Sequence, residues 1–119
     1  MTNCGGHEII PDDALDLGDG HWLSFTSWNP DRALNPQYDG VESVERYGAV
    51  VYHETPTSET GLCCGGIVFD SPTARIIERP GRPLWTVESW DPLTLSPSLL
   101  CSAPCGDHGF VRDGKWVRA

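Results

Sequence analysis

Glycine and proline punctuate this chain from end to end: thirteen of the first and ten of the second, scattered and not clustered. Neither residue sits comfortably inside a helix or a central strand, so the elements must be short and the turns many. Their even spread also argues against a disordered, low-complexity chain, in which such residues gather in tracts. With 119 residues, the chain has room for one domain, residues 1–119, with a modest core. Residues 1–20 are polar and turn-rich, and are expected to be loosely ordered. Five tryptophans concentrate the burial on a few bulky aromatics.

Between the turns, alternation of apolar residues predicts strands. His21–Trp28 reads as one, with Leu23 and Phe25 on one face and Trp22 and Trp28 on the other. Gly48–His53, Gly66–Asp70 and Leu84–Trp90 read as three more. Pro72–Ile77 and Val41–Tyr47 are the stretches able to form a short helix. At the C-terminus, Asp113-Gly114 between Phe110-Val111-Arg112 and Lys115-Trp116-Val117 predicts a hairpin with a two-residue type I′ turn, both central residues at positive φ. Phe110 and Trp116 are expected to bury one face of it, with Arg112 and Lys115 near solvent. The predicted fold class is mainly β: a small antiparallel sheet or sandwich with short helical turns and a zinc-clamped C-terminal hairpin.

The clamp is inferred from Cys101-Ser102-Ala103-Pro104-Cys105-Gly106-Asp107-His108. Two thiols and an imidazole at C-x3-C-x2-H spacing lie on a tight turn joined to that hairpin, an arrangement suited to Zn²⁺. Cys63 or Cys64, in the turn Leu62-Cys63-Cys64-Gly65-Gly66, offers a fourth ligand; being adjacent, only one of them should ligate. The candidate metal residues are therefore Cys63, Cys64, Cys101, Cys105 and His108, around a structural Zn²⁺. Cys4-Gly5-Gly6-His7 repeats the C-x2-H spacing and is the alternative source of the fourth ligand. The start, Met1-Thr2-Asn3-Cys4, has neither the basic nor the apolar region of a secretory signal. Without export, an odd set of five cysteines is better explained by metal or free thiols than by disulfides. The expected location is the cytoplasm of a host cell, or a virion.

Other chemistries find less support. Pro104-Cys105 with His108 copies half of a zinc-deaminase signature, but His53-Glu54 and His7-Glu8 do not supply the H-x-E half. His21 with Ser24, or His53 with Ser96, lacks the G-x-S-x-G context of a hydrolase elbow. Asp12, Asp13, Asp16 and Asp19 fail the glycine and terminal Glu positions of a calcium loop. Charge is uneven: residues 1–74 hold twelve acids against Arg32 and Arg46, while residues 75–119 carry a net of +1. Direct nucleic-acid binding is not expected without a basic patch, and no apolar run approaches the roughly 20 residues of a membrane span. An acidic face suits a basic protein partner, or simply solubility.

The stretch Trp85-Thr86-Val87-Glu88-Ser89-Trp90-Asp91-Pro92-Leu93-Thr94-Leu95-Ser96-Pro97-Ser98-Leu99-Leu100, running into Cys105-Gly106-Asp107-His108-Gly109-Phe110, resembles domain-of-unknown-function family 6527 of actinobacteria and their phages. Members combine a tryptophan strand, a P-T-L-S-P-S-like stretch, a C-x2-H and an aromatic before an N-G or D-G hairpin. His21-Trp22-Leu23, Trp28-Asn29-Pro30-Asp31 and Asn35-Pro36-Gln37-Tyr38 resemble its phage-type members. The resemblance implies a zinc-binding β domain in a phage or mobile-element setting, without an established activity. Where many members have a C-x-C knuckle, this chain has Cys63-Cys64. The function expected on these grounds is a non-enzymatic zinc-binding protein acting through protein–protein contact, with no catalytic residue assigned. The rivals are a zinc-dependent hydrolase or deaminase-like enzyme, with Asp107 or Glu88 as base, and a minor virion component.

Overall fold

Leu15–Gly18 (β1) and His21–Trp28 (β2) form a hairpin around Asp19 and Gly20, at φ 53° and 70°. They belong to a computed structural model that describes residues 9–56, 60–102 and 105–119. β3 (Val44–Glu54) pairs antiparallel with β2 on one side and with β4 (Leu62–Val68) on the other. The resulting four-stranded sheet has the order β1-β2-β3-β4. β3 is the long inner strand, and its Gly48–His53 run is apolar because both of its faces are covered. Ala49 and Val51 enter the main core, while Tyr47 joins a smaller cluster with Val68 and Ala74. The Tyr47 hydroxyl donates to Glu78. Burial, then that carboxylate, push its phenol above the ordinary range.

Pro72–Ile77 is helix α1, as the sequence predicts. Its start follows from Ser71, whose hydroxyl accepts from the Ala74 amide at 3.0 Å, and from Pro72 in the first turn. Two further sheets follow. β5 (Thr86–Trp90) and β6 (Leu93–Ser96) form one hairpin, and β7 (Leu99–Cys101), β8 (Asp107–Arg112) and β9 (Lys115–Arg118) form a sheet in that order. All three sheets feed one core, in which Leu23, Val51, Leu95, Leu99 and Val111 are at most 1% exposed. Each such side chain contributes about 1.5–3 kcal/mol of burial. The mainly β, antiparallel class read from the sequence is the one observed, with His21–Trp28 reproduced to the residue.

Three expectations require correction or extension. Val41–Tyr47 does not form a helix: Val44 pairs with Trp28 in the β2–β3 ladder, and tertiary pairing overrides the weak local preference. Gly66–Asp70 is shifted to Leu62–Val68, so the Cys63-Cys64 pair lies within a strand and not in a turn. In the C-terminal hairpin, Asp113 and Gly114 do have positive φ, 52° and 73°. However, the two-residue turn sets Val111 opposite Trp116 and Phe110 opposite Val117. Directly opposed residues share a face, so Trp116 is buried beside Val111 and Phe110 lies on the other side. Within the stretch expected to be loosely ordered, Leu17 of β1 is 2% exposed.

Candidate functional site

Strand pairing brings residues distant in the chain into one cluster. His53 on β3 lies directly opposite Cys63 on β4. Cys101 closes β7, Cys105 precedes β8, and the ligand atoms of all four residues lie within 4.8 Å of one another. The Sγ atoms of Cys63 and Cys101 are 3.8 Å apart. His53 is 1% exposed, and its Nδ1 lies 3.1 Å from the Glu54 carbonyl oxygen. A carbonyl only accepts, so Nδ1 carries the proton and Nε2 is left with a bare lone pair. That Nε2 is buried with no hydrogen-bond partner. An orphaned buried nitrogen on a ring that sits among thiols, with its other nitrogen at a backbone carbonyl, suits a metal-ligating histidine. The cluster could hold a metal ion.

Cys63 and Cys105 are disulfide-bonded, a departure from the expectation that metal or free thiols would account for the cysteines. Metal binding needs thiolates, so an ion would occupy the cluster only with those sulfurs reduced. Burial, then the Asp107 carboxylate, push the Cys101 thiol upward. A bound cation would reverse that balance.

Of the sequence-predicted ligands, Cys63, Cys101 and Cys105 come together, and Cys64 and His108 do not join them. Strand alternation turns Cys64 to the face opposite Cys63. Cys4 and His7 lie outside the described residues. His53 takes the fourth place, and the sequence reading missed it as a lone histidine beside a strand. Its signal was the hairpin itself: the loop closes where the Thr55 amide donates to the Gly61 carbonyl, and stepping outward from that pair puts residue 53 opposite 63.

His108 has a different partner. Its Nε2 is 2.8 Å from the Ser98 hydroxyl, the one serine–histidine hydrogen bond among the described residues. β8 is paired on both sides, so the His108 backbone is firmly placed: Leu100 faces it on β7, and its carbonyl accepts from the Ala119 amide at 3.0 Å. Ser98 immediately precedes β7, and its carbonyl accepts from the Trp85 indole at 3.3 Å. Asp107, one residue earlier on β8, points to the opposite face and meets His21 Nε2 at 2.6 Å. His21 Nδ1 lies 2.7 Å from the Asp19 carbonyl oxygen, and the ring stacks on Trp116 at 3.9 Å. Both nitrogens of His21 thus face oxygens, one of a backbone carbonyl and one of a carboxylate. Neither His21 nor His53 bonds to the serines considered for them, Ser24 and Ser96.

Residues 43–119 match the family model described as BubE, the bacterial ubiquitination-like system serine protease. No curated protein and no solved structure matches. The matched span contains β3 onward, with His53, Cys63, Cys101 and Cys105 and the serine–histidine pair; β1 and β2 precede it. The match overturns the expectation of a non-enzymatic phage or mobile-element protein acting through contact alone. No helix among the described residues is long and apolar enough to cross a membrane.

Proposed function

The chain belongs to the BubE family of bacterial ubiquitination-like system serine proteases, and from that premise we propose that Ser98 is its nucleophile and His108 its base. The observation that carries this reading is the 2.8 Å bond between Ser98 Oγ and His108 Nε2. Nε2 accepts the hydroxyl proton while Oγ attacks the carbonyl carbon of a peptide bond. The C–N bond breaks, His108 passes that proton to the departing amine, and an ester remains on Ser98. Water, deprotonated by the same Nε2, then cleaves the ester, releasing the acid and restoring the hydroxyl. Among the described residues no carboxylate meets His108 Nδ1, so the orientation of the ring comes from the strand pairing of β8. The substrate would be a protein of the ubiquitination-like system.

The reading predicts that a fluorophosphonate probe labels Ser98 in the wild type and nothing in Ser98→Ala. In His108→Ala, labelling should slow by about 100-fold or more, the usual worth of a positioned general base. Labelling at a different serine, with Ser98 untouched, overturns the assignment.

The same proposal gives the cluster of His53, Cys63, Cys101 and Cys105 a structural Zn²⁺. One imidazole and three thiolates form a soft, closed, four-coordinate set. The orphaned His53 Nε2 supports it. Elemental analysis of protein purified under reducing conditions should find about one zinc per chain. A zinc-free, fully folded chain would end that part of the reading.

A further inference from the structure

Ser98 opens onto a cleft of about 360 Å³ whose lining includes Gly66, Arg79, Arg82, Trp85 and Leu100. One wall is the edge of a sheet. β4 ends the order β1-β2-β3-β4, and the Val68 carbonyl on it accepts from the Trp85 amide, away from β3. Gly66, two residues back, turns its own amide and carbonyl the same way, by the period of a strand. Those groups have no partner among the described residues. Gly66 is exposed, and a Cβ built on it would meet nothing within 4 Å. The fold therefore leaves room for a side chain that the sequence does not supply, and the vacant room is part of the cleft.

The other wall is cationic, on a chain whose net charge is −9. Arg82 is held by Glu78 at 3.3 Å. Arg79 is exposed and has no carboxylate partner among the described residues. Twelve acids in residues 1–74 disfavour an acidic segment over that half of the chain, whereas this cleft presents Arg79 and Arg82 to it.

We propose that the cleft binds an extended, carboxylate-bearing peptide segment as the substrate strand of the protease reading, on which this inference rests. The peptide backbone adds along Gly66 to the edge of β4, as in strand addition generally. Its carboxylate pairs with Arg79, and the bond to be cut lies at Ser98.

Fluorescein-labelled peptides that differ only in Glu against Gln, each made as C-terminal acid and as amide, are titrated by anisotropy into full-length Ser98→Ala. The four peptides separate a side-chain carboxylate from a terminal one. The expected result is at least tenfold tighter binding when the recognised carboxylate is present. Adding Arg79→Gln removes that preference, while Arg75→Gln, whose guanidinium is engaged by Asp70, retains it. Gly66→Val weakens every peptide tenfold or more without lowering the melting midpoint, because the position has space and a β-branched residue suits a strand. Peptides that bind alike or not at all, or a preference that survives Arg79→Gln, overturn the proposal. Fluorophosphonate labelling of the wild type reports the nucleophile separately. Labelled Ser98 with indifferent binding refutes the cleft alone, and unlabelled Ser98 with intact preference refutes the nucleophile alone.

Discussion

A buried imidazole with one nitrogen committed to a backbone carbonyl has a fixed tautomer, and His53 uses it to keep Nε2 bare toward three sulfurs. His108, exposed on β8, holds a serine hydroxyl instead. Their substitutions should therefore dissociate. His53→Ala should cost more than about 2 kcal/mol, through a lost ligand and a buried void. His108→Ala should change stability by no more than about 0.5 kcal/mol while slowing nucleophile labelling about 100-fold or more. Melting curves and probe labelling of the two variants check both halves. The spacing of Cys101, Cys105 and His108 pointed to a soft-ligand cluster, and the fold brings two of those three residues together with His53 and Cys63. What spacing along a chain cannot convey is strand alternation: neighbours on a strand face opposite ways, so Asp107 reaches inward to His21 and His108 reaches outward to Ser98. The Ser98–His108 pair was illegible for the complementary reason, since only the pairing of β7 with β8 brings residues ten apart into contact.

At the scale of elements, the β8–β9 hairpin carries His108 and depends on two glycines for different reasons. Gly114, at φ 73°, completes the tight turn, and its amide donates to the Leu93 carbonyl at 2.8 Å, docking the turn on β6. Gly114→Val should cost roughly 1–2 kcal/mol or more by forcing a β-branched residue into left-handed backbone. Gly109 has no such φ; it admits the Trp116 ring, and a Cβ there would lie 2.5 Å from Cζ2. Gly109→Ala should cost about 1–3 kcal/mol by overpacking and should shift the tryptophan emission as Trp116 moves off His21. Denaturant titrations of both variants, followed by fluorescence, measure these costs. Elements with strong local signals were readable in advance: the alternation of His21–Trp28, the Ser71-Pro72 start of α1 and the Asp113-Gly114 turn. Val41–Tyr47 was not, because Val44–Tyr47 is strand through the Trp28–Val44 pair, which no local pattern records. The face on which Phe110 falls was also hidden until the register of the turn was known.

In the whole molecule, the cluster of His53, Cys63, Cys101 and Cys105 sits where the sheets meet. Its residues come from β3, β4, the end of β7 and the approach to β8. Holding Cys63 to Cys101 spans a separation of 38 residues, a long-range closure that strand pairing alone would have to secure. The same tie fixes β7 against β4, the two strands that flank the cleft at Gly66 and Leu100. A domain of this size has a stability of about 5–15 kcal/mol, whereas a structural zinc supplies apparent binding free energies of about 10–16 kcal/mol. Because the second figure matches the first, stripping the ion should remove most of the folding free energy and not merely soften one loop. A strong chelator under reducing conditions should therefore collapse the cooperative melting transition and, in parallel, the fluorophosphonate labelling of Ser98. Stoichiometric Zn²⁺ should restore both together, since Ser98 and His108 stand three residues from Cys101 and Cys105 respectively and rely on the same strand pairing. Full labelling of a demonstrably metal-free chain would show instead that β7 and β8 hold the pair in register without the clamp.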